Sequence, residues 1–470
     1  MSTLDSAKHI YMIGIKGVGM TALAQILKAH GKTVWGSDTA EKFFTDKVLA
    51  RAGIEVNEGF AAQHLDRTID LVIHSTAYDD TNVEIKAASV KGLKVLTYPE
   101  IVGELTRQYK SLAVAGSHGK TTTSALLAHI LQTAGLSPTA LIGSEVFQFN
   151  GNALIGSGEW LVFEADEYHN KLKFFSPQAV ILTSLDWDHP DFFKTAADYT
   201  QAFVEFLKKV PAEGFVVACY DNENIRQAVA QAGLKPEQLV TYGLTAGRWT
   251  LRRMWLEEGK WHFSVNEGDE YHGIFQWRLI GGHNVANALA AMAGARRLGV
   301  EMEIIRQAIA SFEGTKRRFE IKGRLNNAVT LVDDYAHHPA EIIATLKAAR
   351  AYYPYKKIRV VFHPHTFSRT AALLADFATA FSEADEVIVL DVYSSAREKN
   401  GAVTSVNLVE AIKSHNPDVV HKPTIAAATE YLIATVDRTN LVITMGAGDV
   451  WKVGEELIKK FGLASGSEFK

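Results

Sequence analysis

Residues 111–131 read "SLAVAGSHGKTTTSALLAHIL": an apolar run, two glycines, then a lysine and threonines at the start of a helical pattern. A strand that stops at a glycine loop and enters a helix leaves backbone N–H groups pointing over the helix N-terminus, where the helix dipole favours an anion. Gly116 and Gly119 let the backbone approach such an anion without a Cβ clash, and Ser117 and His118 complete the loop. Lys120 supplies positive charge for the β- and γ-phosphates of a nucleotide, and Thr121, followed by Thr122, offers a hydroxyl to Mg²⁺. The usual nucleotide loop has a glycine where this chain has Val114, so the loop is short and departs from the standard ATPase or GTPase pattern. A plain strand–turn–helix corner with a surface lysine is the competing reading.

Mg²⁺ takes hard oxygen ligands. "VFEADE" supplies Glu164, Asp166 and Glu167, and "SLDWDHPD" supplies Asp186, Asp188 and His189, both at the ends of apolar runs. Open α/β sheets hold their ligands at the carboxyl ends of strands. A second glycine loop, "YMIGIKGVGM", carries Gly14, Gly17 and Gly19 with Lys16 inside it. Its G-x-x-G-x-G spacing differs from the dinucleotide G-x-G-x-x-G, so it suggests a phosphate without specifying NAD. Asp38 ends "VWGSD", where an acid can accept from a ribose. A nicotinamide-dependent oxidoreductase is therefore an alternative on these residues alone, and a glycine turn serving only helix–sheet packing is another.

Positioning these groups requires strands that end where the loops begin. Apolar runs alternate with helical patterns through most of the chain, which predicts α/β architecture with doubly wound parallel sheets. One series runs from "HIYMIGI" to "LKVLTYP", a second from "SLAVAGSHG" to "GFVVACYDN", and a third from "AVTLVDDYAHHP" to "LVITMGAGD". The aromatic, turn-rich stretch 248–279 reads as an antiparallel β insertion before a helix near "HNVANALAAMAGARRLG". Breaks near residues 109 and 321 predict three domains: 1–109, 110–321 and 322–470.

Composition sets outer bounds. With 470 residues, 47% hydrophobic and 22% charged, several ordinary cores can be buried. A net charge of −4 argues against nucleic acid as the main partner. Cys219 is the only cysteine, which excludes an internal disulfide and a cysteine-rich zinc site. The N-terminal residues have no secretory pattern and no run is long enough to span a membrane, so a cytoplasmic protein is expected.

Taken in order, "AGSHGKTTT", "FEADE", "DWDHPD", "GGHNVANALAA", "GTKRRFE", "DDYAHHP" and "HPHTFSRT" resemble the Mur ligase family of ATP-dependent amide-bond-forming enzymes of cell-wall precursor synthesis. "GIKGVGM", the pair "DDYAHHP" and "HPHTFSRT", and "DVYSSARE" narrow the resemblance to its alanine-adding branch. The resemblance implies a Rossmann-like N-terminal UDP-sugar domain, a central P-loop ATPase domain with the β insertion, and a Rossmann-like C-terminal domain. It implies UDP-N-acetylmuramate and L-alanine as substrates, ATP and Mg²⁺ as cofactors, and a monomer or homodimer. Gly14, Gly17, Gly19, Ser37, Asp38 and Ser75 would serve the UDP-sugar. Lys120 would hold the ATP phosphates, with Thr121, Glu164 and His189 at the metal.

By the same resemblance Asn284 and Asn287, on one helix face, would meet the adenine nucleotide. Arg318 of "TKRRF" would reach its phosphates, and Asp334 would bind it from the C-terminal domain with His337 and His338 nearby. His365 and Arg369 would face the muramoyl carboxylate and the amino acid, with His365 a candidate proton acceptor. Some members of the branch have an arginine where this chain has Thr366, leaving Arg369 the sole guanidinium of that motif. The implied reaction is transfer of the γ-phosphoryl to a carboxylate and attack of the amine on the acyl-phosphate. The nearest rival is the recycling ligase that attaches a murein tripeptide to the same UDP-sugar; a non-enzymatic nucleotide-binding scaffold is a further one.

Overall fold

The computed structural model describes residues 3–394, 398, 401 and 403–464; part of "DVYSSARE" lies outside the described residues. The described chain forms two compact units, one of residues up to 187 with 196–278 and 285–315, the other of 188–195, 279–284 and 316 onward.

The first unit contains two sheets. Its N-terminal sheet has the order Glu55–Glu58, Thr33–Asp38, His9–Ile13, Leu71–His74, Val95–Thr97, all parallel. Its central strands are buried on both faces, Ile10–Ile13 and Leu71–Ile73 being fully covered, which is why they read as unbroken apolar runs. The strand order reverses direction between His9–Ile13 and Leu71–His74, and such a switch point opens a crevice at the carboxyl ends.

The second sheet has ten strands. Lys110–Ala115 lies between Trp160–Glu164 and Ala179–Leu182, parallel to both. Phe215–Cys219 and Leu239–Gly243 extend it in parallel. Trp249–Glu257, Lys260–Glu267 and Glu270–Trp277 then form the expected antiparallel insertion. Trp249, Phe263, Phe275 and Trp277 are buried on its inner side. At the opposite edge lies a hairpin, Thr139–Val146 with Gly151–Leu154. The helix Val18–Ala29 packs on that hairpin. There Asn152 Nδ2 donates to the Val18 carbonyl at 2.5 Å and Gln25 Nε2 donates to Asn152 Oδ1 at 3.3 Å. These bonds tie the helix that follows the first glycine loop to the sheet that carries the second.

The second unit holds a six-stranded sheet in the order Glu320–Arg324, Thr330–Asp334, Asn440–Met445, Lys357–Phe362, Glu386–Val389, Val419–His421. Only the Glu320–Arg324 edge is antiparallel. Leu331, Val361, Ile388, Val442 and Leu457 form part of its core. The expected break near 321 falls inside that edge strand, whose sequence "EIKGR" is too polar to announce itself. Only one side of an edge strand is paired, and a bulge between Ile321 and Gly323 interrupts its alternation. Among the described residues no helix is long and apolar enough to cross a membrane.

Candidate active site

The helix Lys120–Thr133 begins directly on the glycine loop, with Gly119 left-handed at its N-cap (φ 81°). A Cβ at Gly119 would stand 2.4 Å from Asn287 Oδ1, and one at Gly116 2.4 Å from Thr183 Oγ1. Only glycine fits at either position. The loop is braced from the next strand end: Ser117 N donates to Ser184 O at 3.0 Å, His118 N to Ser184 Oγ at 2.8 Å, and Ser117 Oγ to Asp186 O at 2.6 Å. His118 Nε2 lies 3.4 Å from Asp186. Lys120 curls over the loop and donates to Gly116 O, to Ser117 O at 3.2 Å and to Glu167 Oε2 at 3.1 Å. Burial alone would lower its pKa, but Glu167, then Asp166 and Glu164, outweigh burial and keep it above the ordinary lysine value. The cradle is thus preformed and its cation is charged.

Glu164 ends the neighbouring strand and accepts from Thr121 Oγ1 at 3.1 Å, from Ser124 Oγ at 3.4 Å and from the Gly143 backbone. A hydroxyl and a carboxylate at the foot of a phosphate loop are an all-oxygen donor pair, which suits Mg²⁺. Gly143 is required for this approach, because a Cβ there would lie 2.7 Å from Glu164 Oε2. Thr122 is buried in the helix. His189, the third expected metal residue, belongs to the other unit, where its backbone N donates to Asp188 Oδ1 at 2.7 Å.

The first unit contains a cleft of ≈ 320 Å³ into which both glycine loops open. Gly17–Met20, Ser75, Thr76 and Tyr98 contribute from the N-terminal sheet. Lys120, Leu141–Gly143, Glu164, Asp166, Lys171 and Phe175 contribute from the second. Gly14 lies at a close approach: φ is 79°, and a Cβ would meet the Tyr78 ring at 2.7 Å and Ser75 Cβ at 2.9 Å. Gly19 abuts Tyr98 in the same way, at 2.8 Å. Packing against Tyr78, Ser75 and Tyr98 therefore demands these glycines.

Lys16, read from the sequence as a charge inside this loop, is committed to partners within the protein. It is 3% exposed, and its ammonium donates to Thr39 O at 2.8 Å and Glu41 O at 3.0 Å and pairs with Asp46 at 3.1 Å. A buried ammonium needs partners, and the loop and helix after Thr33–Asp38 supply them. Asp38 holds the loop itself, accepting from Lys16 N at 2.7 Å and from Thr39 N at 2.8 Å. Ser37 is buried and donates to Glu84 at 2.5 Å.

Asn287 lies against the phosphate loop, accepting from Thr123 Oγ1 at 3.3 Å. Asn284, one turn earlier on the helix Gly282–Arg297, donates its amide to Ile280 O at 2.8 Å.

In the second unit Arg369 is 4% exposed and forms a two-pronged bond to Asp188, Nε to Oδ1 at 2.8 Å and Nη2 to Oδ2 at 3.1 Å. Burial pushes the Asp188 pKa up, yet the Arg369 charge prevails and holds it well below the usual carboxylate range. Arg369 Nη1 donates to His365 Nδ1 at 3.1 Å. Burial, with the Arg369 charge, pushes His365 down to about 4; burial takes His337 down to about 3. Both rings are neutral near pH 7. Asp334 is buried and accepts from Phe319 N and Ala336 N, each at 2.7 Å. Burial pushes it up to about 6 against the pull of Arg318. Arg318 sits 5.1 Å from the Tyr335 ring centroid and 3.6 Å from Glu341. Its neighbour Arg317 is committed to structure, donating to Asp333 at 2.9 Å and to the carbonyls of Gly446 and Gly448 at 2.6 and 3.1 Å. His338 caps the helix Pro339–Tyr352.

Three family profiles match the chain in succession: "Mur ligase family, catalytic domain" over residues 9–110, "Mur ligase middle domain" over 114–295 and "Mur ligase, glutamate ligase domain" over 317–448. The UDP-N-acetylmuramate–L-alanine ligase of Caldanaerobacter subterraneus subsp. tengcongensis is 39% identical over 97% of this chain and 98% of its own. The chain belongs to the Mur ligase family. Among solved structures, the UDP-N-acetylmuramate–alanine ligase of Thermotoga maritima superposes with a TM-score of 0.81 at 28% identity, covering 96% of this chain and 98% of that one. A murein peptide ligase of Psychrobacter arcticus shares the fold with a TM-score of 0.72 at 24% identity, covering 97% and 98%.

Tyr98, Gly143 and Lys171 are among the cleft residues of this Mur ligase that escaped sequence reading. Tyr98 follows a strand that looks complete in itself, and burial, then Glu164 and Asp166, push its phenol up. Gly143 sits in the edge hairpin. Lys171 follows two left-handed residues, His169 and Asn170. No spacing rule links these segments to the glycine loops. The one local signal was "LIGSEV", a glycine inside a strand pattern, which marks a close approach.

Proposed function

We propose that this chain is an ATP-dependent ligase that joins L-alanine to UDP-N-acetylmuramate through an acyl-phosphate, releasing ADP and phosphate. The observation that carries this reading is the single cleft lined by Lys120 of the phosphate loop and by Gly17, Gly19 and Ser75 of the first loop region. Such a cleft lets a sugar-borne carboxylate approach a terminal phosphoryl group. The UDP-N-acetylmuramate–L-alanine ligase activity of the relative at 39% identity supports the same substrates.

A carboxylate is a poor acylating group until it is activated. Lys120 and the loop N–H groups would hold the triphosphate and offset charge as the γ-phosphoryl moves to the carboxylate oxygen. Mg²⁺ held by Thr121 and Glu164, with His189 as the further metal residue, would neutralise phosphate charge. Asn287 would serve the adenine nucleotide, the ligand that the resemblance also implies for Asn284, Arg318 and Asp334. Gly14, Gly17, Gly19, Ser37, Asp38 and Ser75 would hold or shape the UDP-sugar site, Ser37 and Asp38 by bracing the loop. Arg369, which the resemblance assigns with His365 to the muramoyl carboxylate and the amino acid, has its fork filled by Asp188 and would meet a substrate carboxylate only by exchanging that partner. His365, held neutral down to about pH 4, is a weak base for an ammonium, so orienting Arg369 is its better-supported role. Residues 1–109, 110–321 and 322–470 would then be the UDP-sugar, ATP and amino-acid segments of a cytoplasmic enzyme.

The test is phosphate release with ATP, Mg²⁺ and UDP-N-acetylmuramate against L-alanine, glycine, L-serine and the murein tripeptide. Release with L-alanine and not with the tripeptide is expected. Preference for the tripeptide would transfer the chain to the recycling activity, and release without an acceptor amine would remove the ligase reading.

A further inference from the structure

We propose that Lys171 is the cleft's receptor for the carboxylate of the sugar substrate, the group that takes the phosphoryl; this rests on the ligase reading above. Lys120 and Lys171 are the only cations lining the cleft among the described residues. The first loop brings none, because Lys16 is buried and spent on Thr39, Glu41 and Asp46. Lys120 is committed to its own loop and to the buried Glu167, as a phosphate-holding lysine should be. Lys171 is held differently. Its side chain is 13% exposed, while that of its partner Asp166 is 45% exposed, so the carboxylate side of the pair faces solvent and the ammonium faces the cleft. An incoming carboxylate can share or replace Asp166 as the counter-charge of this ammonium.

The turn that presents Lys171 is built and clamped. His169 and Asn170 are both left-handed, with φ of 56° and 53°, a conformation unfavourable for residues other than glycine. Lys209 secures the segment from behind, its ammonium donating to the carbonyls of Leu172 at 3.0 Å, Lys173 at 2.6 Å and Phe175 at 3.2 Å. Leu172 is buried, anchoring the turn in the core. Backbone strain kept in place by an external clamp marks a position whose geometry matters. The cation also meets a need of the reaction: a carboxylate must approach a triphosphate of like charge. In the step itself the carboxylate oxygen bonds to the γ-phosphorus, and the bond from phosphorus to the β–γ bridging oxygen breaks. That oxygen leaves with the electron pair as ADP. Lys171 makes and breaks no covalent bond in this step.

Equilibrium binding by calorimetry tests this with two ligands, UDP-N-acetylmuramate and UDP-N-acetylglucosamine, which lacks the lactyl carboxylate. Wild type should prefer the acid. Lys171→Met should weaken UDP-N-acetylmuramate about 10- to 100-fold, the scale of a lost charge-assisted bond, and leave UDP-N-acetylglucosamine unchanged. The second ligand also reports folding, and Lys171→Gln serves in parallel should the methionine variant misfold. An equal loss for both ligands, or none for either, overturns the assignment to Lys171. If wild type itself does not distinguish the two sugars, the substrate reading has failed instead.

Discussion

Replacing Asp188 with Asn removes one half of a fully desolvated ion pair. Asp188 and Arg369 are each 4% exposed, and both guanidinium–carboxylate contacts are within hydrogen-bond range. An exposed pair would be worth at most about 1 kcal/mol. Removing one partner of a buried pair leaves an uncompensated charge and costs roughly 3–5 kcal/mol. For a unit of this size that converts to a fall in Tm of about 6–20 °C, at ~2–4 °C per kcal/mol. Scanning calorimetry, with the transition of the second unit identified by urea unfolding, measures it. The sign of the pH dependence follows from the depressed carboxylate. Its contribution is complete above the ordinary Asp value of 3.8 and disappears as pH falls through the still lower folded value. The variant and wild type should therefore differ fully at pH 7 and converge in strong acid. The double variant Asp188→Leu, Arg369→Met removes both charges and should recover most of the stability while abolishing activity. A loss below about 1 kcal/mol for Asp188→Asn, or a double variant as unstable as the two single losses summed, would refute a buried charge pair.

Other consequences are equally concrete. Lys120→Ala should abolish phosphate release while UDP-N-acetylmuramate still binds by calorimetry; simultaneous loss of both contradicts separate sites. Gly143→Ala should push Glu164 away from Thr121, since the new Cβ would lie 2.7 Å from its carboxylate. A rise of about 10- to 100-fold in the Mg²⁺ concentration needed for half-maximal activity is expected, with a near-normal Tm. His337 and His365 have folded pKa values lowered by burial to about 3 and about 4. The unfolded chain therefore binds protons that the folded one refuses as pH falls below the ordinary histidine value of 6.5, and stability must drop over that window. Urea midpoints measured between pH 7 and pH 5 should fall less steeply for His337→Gln than for wild type; identical slopes would contradict a neutral buried ring.

The parts of this protein that were legible in its sequence are those written in local pattern. Parallel strands covered on both faces must be apolar at every position, so "SLAVA", "AVIL" and "LVITM" announce themselves. A loop that brings backbone near an anion needs glycine, so Gly116, Gly119 and Gly17 stand out against their neighbours. Antiparallel hairpins need turns and aromatic faces, so the insertion after residue 248 was readable. Partnership among buried charges was not. Lys16 resembles a ligand-facing charge until the fold buries it against Thr39, Glu41 and Asp46. Arg369 resembles an open receptor until Asp188 is seen in its fork. Tyr98, Gly143 and Lys171 reach one cleft from three separate segments. Burial and hydrogen bonding of the backbone repeat with the period of a strand or helix and leave a trace in composition. The choice of counter-charge for a desolvated group depends on which distant segment arrives beside it, and only the assembled fold decides that.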